Sequence, residues 1–281
     1  MLIRIILDGV GCNSMYVGYN IKIMTLADAI ILAVVEGLTE FLPISSTGHL
    51  ILVTRILNIT TTDFTTSFAI SIQCGAILAV AMLYANHVIR HPMILKPVIV
   101  AFLPTAATGL VLYKIIKNIL LLSTDITVTA LIIGGILIIL IEKILIYKVP
   151  PSGEIMLGKI TFRQAIFIGI AQSLSVVPGV SRAGATIVGG LLAGLTRKNA
   201  VEFSFLLAVP TVIAATVLDL ASTSWRFRPE EILIMLVGLI VSFISAAISV
   251  NYFLKFVRSN TLIIFGAYRI IFAVAFIMAV R

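Results

Sequence analysis

The sequence predicts an all-α integral membrane protein with about six transmembrane helices and two re-entrant helical hairpins in an inverted-topology repeat. The first observation is composition: 60% of the 281 residues are hydrophobic, 11% are charged, and the mean hydropathy is +1.18. The second is a set of apolar runs long enough to cross a bilayer, which takes roughly 20 helical residues. The third is a pair of apolar segments interrupted by proline and by ionisable side chains. This composition excludes an ordinary soluble domain.

Six runs are long and apolar enough to span the bilayer. In chain order they are Thr65–Tyr84, Pro97–Tyr113, Ile126–Tyr147, Ala200–Leu220, Glu231–Val257 and Leu262–Val280. The face of the membrane on which more Lys and Arg residues collect near the span ends is predicted to be cytoplasmic, which places both termini outside.

Two further apolar segments, Leu26–Leu57 and Thr161–Leu195, do not fit a simple span. The first breaks at Pro43 and the second at Pro178-Gly179. Proline removes a backbone donor and clashes with the preceding turn. Irregular backbone at membrane depth is tolerated only where protein or a water-filled cavity covers it. We therefore predict that each segment is a re-entrant hairpin that turns at its proline motif.

The two hairpins begin two repeat halves, approximately residues 26–147 and 161–281. When Pro43 is aligned with Pro178, the run Pro43-Ile-Ser45-Ser46 lies over Pro178-Gly-Val-Ser181. Three spans follow each hairpin, and because three is odd the halves enter the membrane from opposite sides. The functional site of such a repeat is expected near the midplane, between the halves.

The predicted membrane domain covers residues 24–281 and is preceded by an extension, residues 1–23. The extension mixes Gly, Asn, Asp and Lys with short apolar runs and lacks the regions of a signal peptide. We interpret it as a disordered segment or an annotation artefact, since Met24 is a natural start. The net charge of +8 comes largely from basic residues at helix ends, so it indicates contact with lipid headgroups and not nucleic acid.

Two carboxylates in the first hairpin predict a metal site. Glu36 and Glu40 are four residues apart, which places them on one helix face with Cβ atoms about 5–6 Å apart. In an apolar setting they share a proton, face a cation or pair with arginine. A divalent cation, Mg²⁺ or Ca²⁺, bound by both carboxylates and by phosphate oxygens satisfies both charges. A solvated helix face is the alternative, which the membrane setting disfavours.

Three hydroxyl residues, Ser45, Ser46 and Thr47, follow Pro43 at the first turn. They either cap the next helix or act as a nucleophile and phosphate ligands beside helix N-terminal amides. His49 is then either the general base for Ser46, the nucleophile itself, or a structural residue.

The second hairpin predicts a phosphate site. Arg182 is charged at any relevant pH, and Ser181 and Thr186 flank it. Gly179 allows a close approach of the backbone. A planar bidentate donor beside hydroxyls and helix-end amides suits a phosphate group. The alternative is an arginine that pairs with Glu36 or Glu40 and holds the hairpins together, and the two interpretations are compatible in different ligation states.

Polar residues elsewhere in the apolar runs are further candidates. Arg269 lies inside the last span and needs a partner, which we predict to be Glu36, Glu40 or an anionic substrate, unless the side chain snorkels to the interface. Gln172, in the helix that leads into the second turn, is a candidate neighbour of the site.

The two motifs resemble the signatures of a known family. Residues 36–49 (EGLTEFLPISSTGH) and 178–186 (PGVSRAGAT) look like those of bacterial undecaprenyl-pyrophosphate phosphatases of the bacitracin-resistance type. The resemblance runs from about Met24 to the C-terminus and includes residues 202–210 and Tyr268-Arg269. Ala183 stands where this family usually has serine, which removes one hydroxyl from the phosphate site.

This resemblance implies hydrolysis of a long-chain (C55) isoprenoid pyrophosphate to its monophosphate, which recycles the lipid carrier for peptidoglycan synthesis. It also implies a divalent cation and a site that opens to the outer, periplasmic face of the bacterial inner membrane. Surfaces rich in small residues permit a homodimer without requiring one. The mechanism that we favour has Ser46 attack phosphorus while His49 takes its proton. His49 as nucleophile, or water activated by a glutamate, remains an open alternative.

Two other classes of function fit parts of the pattern. Inverted repeats with charges at the midplane are typical of ion-coupled secondary transporters, and the same architecture suits a lipid flippase. A second superfamily of membrane phosphatases needs a histidine six residues beyond its arginine, where this chain has Val188. That difference argues against the second superfamily.

Overall fold

A computed structural model describes residues 24–60, 62–120, 123–146, 157–222 and 227–280, which include every predicted site residue. These residues are almost wholly helical and form no β-strand, whereas the predicted extension, residues 1–23, lies outside them. The main helices, in chain order, are α1 (Leu26–Thr39), α2 (Ser46–Ile56), α3 (Asp63–Arg90), α4 (Leu95–Val111), α5 (Thr124–Ile146), α6 (Phe162–Ser173), α7 (Arg182–Leu192), α8 (Arg197–Ser222), α9 (Pro229–Val257) and α10 (Ile263–Val280).

Five described helices are long and apolar enough to cross a membrane, so the chain is a multi-pass membrane protein. These spans are Asp63–Arg90, Pro92–Val111, Thr124–Ile144, Arg197–Leu218 and Pro229–Val257. They correspond to the first five predicted spans. The sixth prediction falls on α10, which is apolar over Ile263–Ala279 but shorter than the other five. Large apolar side chains such as Val111 and Met278 are exposed on the outer faces, as contact with lipid requires.

The two predicted hairpin segments form two pairs of short helices. The α1–α2 pair is joined by residues 40–45, and the α6–α7 pair by residues 174–181. The four helices have 14, 11, 12 and 11 residues, so the longest is about 21 Å long at 1.5 Å per residue. Each is therefore shorter than the roughly 30 Å hydrocarbon core of a bilayer.

The backbone of the first helix pair recurs in the second. Thr25 caps α1 with a reciprocal capping box, and Thr161 caps α6 in the same way. Ser45 has a positive φ of 73° before α2, and Ser181 has a positive φ of 74° before α7. Few non-glycine residues adopt this left-handed region, so the coincidence of two serines indicates a shared turn geometry.

These equivalent caps correct the register of the sequence alignment. Aligning Pro43 with Pro178 superimposed Ser46 on Ser181. The structure instead aligns Ser45 with Ser181 and Ser46 with Arg182, one position further along the second turn. The reason is that the left-handed serine cap, and not the proline, determines where the outgoing helix begins.

Each short helix pair packs against the other half of the chain. Helix α1 packs on α9, α6 packs on α4, and α5 packs on α10. A Cβ atom on Gly37 of α1 would overlap the Ser242 carbonyl oxygen, and one on Gly169 of α6 would overlap that of Ala101. Glycine is required at these positions because the helix backbones touch. The crossed packing brings the two turns to the same place in the molecule.

Candidate active site

A cavity of about 1950 Å³ lies between α2, α3, α4, α8 and the two turns. It is larger than the roughly 300–1000 Å³ of common small-molecule pockets, and most of its lining residues are apolar. Its charged lining residues, within the described part of the chain, are Glu36, Glu40, Arg55 and Arg182. The site therefore combines a long apolar space with a small charged centre.

A hydrogen-bonded chain of three side chains forms this centre. Ser46 donates its hydroxyl proton to Glu40 Oε2, and Arg182 Nη2 donates to Glu40 Oε1 at 2.9 Å. Both Ser46 and Glu40 are buried, as is most of the Arg182 side chain. The first helix pair supplies the hydroxyl and the carboxylate, and the second supplies the guanidinium. The pairing of Arg182 with one of the two glutamates, which the sequence offered as the alternative to a phosphate site, is thus present.

Three contacts hold the Arg182 guanidinium in place. Besides its bond to Glu40, it donates from Nη1 to the Ser204 carbonyl oxygen at 3.1 Å and lies 5.5 Å from the centre of the Phe41 ring. Its Nε is buried and has no hydrogen-bond partner among the described residues. The arginine is therefore oriented by protein groups while it retains an unused donor.

Glu36 differs from Glu40 in accepting no hydrogen bond from any described residue. It is 1% exposed, and neither carboxylate oxygen accepts a hydrogen bond within the described residues. Glu40 and Arg182 lie within electrostatic range of it. A buried carboxylate without a partner is costly, so this position suits a cation.

The donor set fits a divalent ion only in part. Glu36 and Glu40 offer carboxylate oxygens of the kind that Mg²⁺ and Ca²⁺ prefer. However, no group of three or more His, Cys, Asp or Glu residues occurs within the described ranges. Oxygens of a substrate or of water would have to complete the coordination shell.

The serine and glycine residues of the two turns have structural and lining roles. Ser45 Oγ accepts a hydrogen bond from Gly48 N at 3.3 Å, and Ser181 Oγ accepts one from Gly184 N at 3.0 Å. The capping alternative therefore holds for both serines. Ser45 and Ser181 also line the cavity, as do Thr47 and Gly179, so these predicted substrate-binding residues lie where a ligand would contact them.

His49 does not occupy the position predicted for a general base. Its Nδ1 lies 2.8 Å from the Ser45 carbonyl oxygen and its Nε2 lies 2.8 Å from the Tyr268 hydroxyl. The ring stacks on Phe272 at 4.1 Å and does not line the cavity. The reason is that aromatic partners on α10 hold the ring away from the cavity. Glu40, and not His49, is hydrogen-bonded to Ser46.

Arg269 pairs with neither of the two glutamates that the sequence predicts as partners. It is 1% exposed, does not line the cavity, and contacts neither glutamate. All five of its N–H groups donate to backbone carbonyl oxygens. These oxygens belong to Leu131, Pro43, Val180, Ala130 and Gly179. All five donors are thus used within the protein, so this geometry gives no support to the prediction that Arg269 binds substrate, which stays a prediction.

Thr186 is also directed away from the cavity. Its hydroxyl lies 2.9 Å from the Arg182 carbonyl oxygen and 2.5 Å from the Ser204 hydroxyl. Threonine inside a helix commonly bonds back to the carbonyl four residues earlier. This arrangement leaves Thr186 to support the start of α7, and its side chain does not line the cavity.

Several residues around the site were not identified as site residues from the sequence. Gln172, which the sequence indicates only as a neighbour of the site, is fully buried and donates to Thr105 at 2.8 Å and Thr211 at 3.1 Å. Phe41 contacts Arg182 and Phe272 contacts His49, but an apolar residue in an apolar run does not stand out in the sequence. Tyr268 was detectable, since it lies beside Arg269 in an otherwise apolar run.

Comparison with known proteins identifies the family. The family model described as bacitracin resistance protein BacA matches residues 29–275. The chain belongs to the BacA family. The BacA match covers both turns and every predicted site residue.

Individual relatives of this BacA chain agree along nearly their whole length. An undecaprenyl-diphosphatase of Aquifex aeolicus is 49% identical over 253 residues, which is 90% of this chain and 98% of the relative. One of Sulfurihydrogenibium sp. is 47% identical over 254 residues, with 90% and 98% covered. One of Persephonella marina is 45% identical over 257 residues, with 92% and 100% covered. These names give no support to the transporter alternative.

Proposed function

We propose that this protein hydrolyses undecaprenyl diphosphate to undecaprenyl phosphate and inorganic phosphate in the bacterial inner membrane. The observation that carries the proposal is the Ser46–Glu40–Arg182 chain at the centre of a large apolar cavity. The names of the relatives point to the same reaction. By releasing the monophosphate, the enzyme recycles the lipid carrier for peptidoglycan synthesis and supports bacitracin resistance.

The shape of the cavity supports a lipid substrate. Along α3 its lining runs from Thr65 to Ile89, so it follows nearly the whole length of a membrane span. One end is polar, with Arg55, Thr65 and Thr124, while the other end is lined by apolar residues such as Ile89. An isoprenoid tail occupies the apolar part while its diphosphate reaches the charged centre.

The geometry supports an in-line phosphoryl transfer to serine. Arg182 and the amides at the start of α7 bind the diphosphate. Ser46 Oγ attacks the terminal phosphorus as its proton passes to Glu40, to which it is already hydrogen-bonded. The bond between that phosphorus and the bridging oxygen breaks, and the oxygen leaves on undecaprenyl phosphate. Water then attacks the phosphoserine, giving inorganic phosphate and restoring Ser46.

The other residues of the site assist this transfer. Arg182 offsets the negative charge that builds on the phosphoryl oxygens. Glu36, with both oxygens unpaired, and Glu40 would hold a divalent cation, Mg²⁺ or Ca²⁺. When bound, such an ion supplies further neutralisation of the phosphate oxygens. His49 acts through the backbone of Ser45 and not as the acceptor of the Ser46 proton.

The two helix pairs are proposed to be re-entrant hairpins within a single domain. Their helices are too short to cross the bilayer alone, and the left-handed serine cap of the first pair recurs in the second. With α10 as the sixth span, each hairpin precedes three spans, which gives the halves opposite orientations. The excess of Lys and Arg on one face supports a site that opens to the outer, periplasmic face.

Phosphate release by purified protein in detergent tests the proposal. The substrate is a C55 isoprenoid diphosphate, and wild type and Arg182→Ala are assayed with and without EDTA. We expect release that depends on a divalent cation and that falls by about 100-fold or more in the variant. Absence of release by folded wild-type protein with every divalent cation tried would reject the proposal.

A further inference from the structure

One buried arginine joins the two turns that carry the reactive groups. Arg269 of α10 donates to Pro43 O at 3.3 Å in the first turn, and to Gly179 O at 2.6 Å and Val180 O at 3.0 Å in the second. Its two other N–H groups donate to carbonyl oxygens of α5, at 3.1 and 3.3 Å. A single guanidinium therefore fixes the separation of the turns.

The peptide geometry of the second turn relates this contact to the cavity. No described peptide bond is cis, so the N–H of each peptide points away from its C=O. The Val180 C=O points at Arg269, and hence the Ser181 N–H points away from it. That N–H donates to no described acceptor, and Ser181 lines the cavity.

One peptide next to this contact in each turn has both its N–H and its C=O group in hydrogen bonds. The Ile44 N–H donates to Leu42 O at 2.7 Å, and the Val180 N–H donates to Val177 O at 3.1 Å. The carbonyl oxygens of these two peptides belong to Pro43 and Gly179, and both accept from Arg269. The Ser181 N–H is therefore the donor that these contacts leave available to a ligand.

Helix α5 approaches the guanidinium closely. A Cβ atom on Gly134 of α5 would overlap Arg269 Nη2. The α5 backbone therefore confines the group on this side, and only a planar fork with five donors can reach all five carbonyl oxygens.

We propose that Arg269 is a positioning residue that holds Ser46 and Arg182 at reacting distance and directs the Ser181 N–H at a phosphate oxygen. This inference rests on the proposed hydrolysis and extends it to a residue that does not touch the substrate. Lysine preserves the charge but has only three N–H groups and no planar fork, so it cannot hold both turns.

Two variants disturb the guanidinium independently. Arg269→Lys removes donors directly, while Gly134→Ala displaces the guanidinium without altering it. Arg197→Lys is the matched control, because Arg197 also joins two helices, through Glu142 at 2.7 Å, and lies outside the site. For each protein we would measure the thermal unfolding midpoint, kcat and KM for a C55 isoprenoid diphosphate, and inhibition by orthovanadate, which mimics five-coordinate phosphorus.

The expected result is a loss of turnover without a loss of substrate binding. A small misplacement of reacting groups, or the loss of one donor to the transition state, lowers kcat by about 100-fold. Arg269→Lys and Gly134→Ala should therefore lose about this much in kcat. Their KM should stay near the wild-type value, and orthovanadate affinity should fall in parallel with kcat. Arg197→Lys should keep both kinetic constants.

Three results would overturn the inference. Wild-type kcat in folded Arg269→Lys or Gly134→Ala would show that the position of the turns does not depend on the guanidinium. An equal loss in Arg197→Lys would assign the effect to general stability. A wild-type protein that releases no phosphate would reject the proposed hydrolysis and this inference with it, whereas an active wild type with equally active variants would reject this inference alone.

Discussion

The two helix pairs share a backbone and differ in charge. At equivalent positions, the first has Glu36 where the second has Gln172, and Ser46 where the second has Arg182. The caps, in contrast, are the same: a left-handed serine begins each outgoing helix. The scaffold thus directs two helix N-termini, which attract anions, at one cavity.

This difference in charge means that the two halves of the repeat contribute different reactive groups to the site. The proposed nucleophile and the carboxylates stand on one pair, and the guanidinium stands on the other, so opposite charges meet at 2.9 Å between the two pairs. In the proposed mechanism, a substrate phosphate between the pairs contacts a donor on one side and the attacking hydroxyl on the other. Each half alone would hold only part of the site.

The largest effect should come from a contrast between two adjacent serines. Ser46→Ala removes the attacking hydroxyl, so turnover should fall by at least about 1000-fold. Ser45→Ala removes the side-chain cap of α2, which costs about 1 kcal/mol of stability, and leaves the attacking hydroxyl in place. Phosphate release and thermal unfolding, measured on both variants, separate the two roles.

This contrast also tests the nucleophile directly. If Ser46→Ala retained more than a tenth of wild-type turnover, attack by water or by His49 would replace the serine mechanism. If Ser45→Ala lost as much turnover as Ser46→Ala, the assignment of a capping role to Ser45 and a nucleophilic role to Ser46 would be rejected.

Two single variants test the difference between Glu36 and Gln172, because each one introduces the residue of the equivalent position in the other helix pair. Glu36→Gln gives the first pair the residue of the second, so the buried unpaired carboxylate is lost. Turnover should fall about 100-fold, with less dependence on divalent cations. The unfolding midpoint in EDTA should rise, because no unpaired charge remains buried.

The opposite change should affect stability and not chemistry. Gln172→Glu loses the donors to Thr105 and Thr211 and buries a carboxylate, which should cost about 1–3 kcal/mol. Its residual turnover should keep the wild-type dependence on divalent cations. Equal unfolding midpoints for the two variants in EDTA would contradict the assignment of an unpaired charge to Glu36 alone.

The helices and the charged centre could be predicted from the sequence because their signals are local. Apolar runs located the five long spans, and the spacing of Glu36 and Glu40 placed both carboxylates at the cavity. The proline motifs marked both turns. Pairing of Arg182 with Glu36 or Glu40 was one of the alternatives, because buried charges need partners.

The orientations of His49 and Arg269 could not be predicted in this way. Their partners are remote in sequence: Tyr268 for the histidine, and backbone carbonyl groups from three segments for the arginine. A carbonyl acceptor has no residue-type signal, since every residue carries one. The expectation that a buried arginine pairs with a carboxylate was therefore wrong for Arg269.

The smallest expected effect concerns a contact that the second helix pair does not have. His49 bonds to the Tyr268 hydroxyl at 2.8 Å, whereas the equivalent position in the second pair is Ala185. Tyr268→Phe keeps the ring beside His49 and Phe272 and removes one neutral hydrogen bond, worth about 1 kcal/mol. Turnover should fall by no more than about 5-fold.

This variant distinguishes two roles for His49. If the histidine only orients the first turn through Ser45, a small loss is the whole effect and the pH profile of kcat stays unchanged, because Glu40 accepts the Ser46 proton. If His49 takes that proton, removal of the Tyr268 hydroxyl frees Nε2, and the profile should shift together with a loss well beyond this small one. The kcat–pH profiles of wild type and Tyr268→Phe therefore decide whether His49 accepts the Ser46 proton or only orients the first turn. The second helix pair has no equivalent of this histidine.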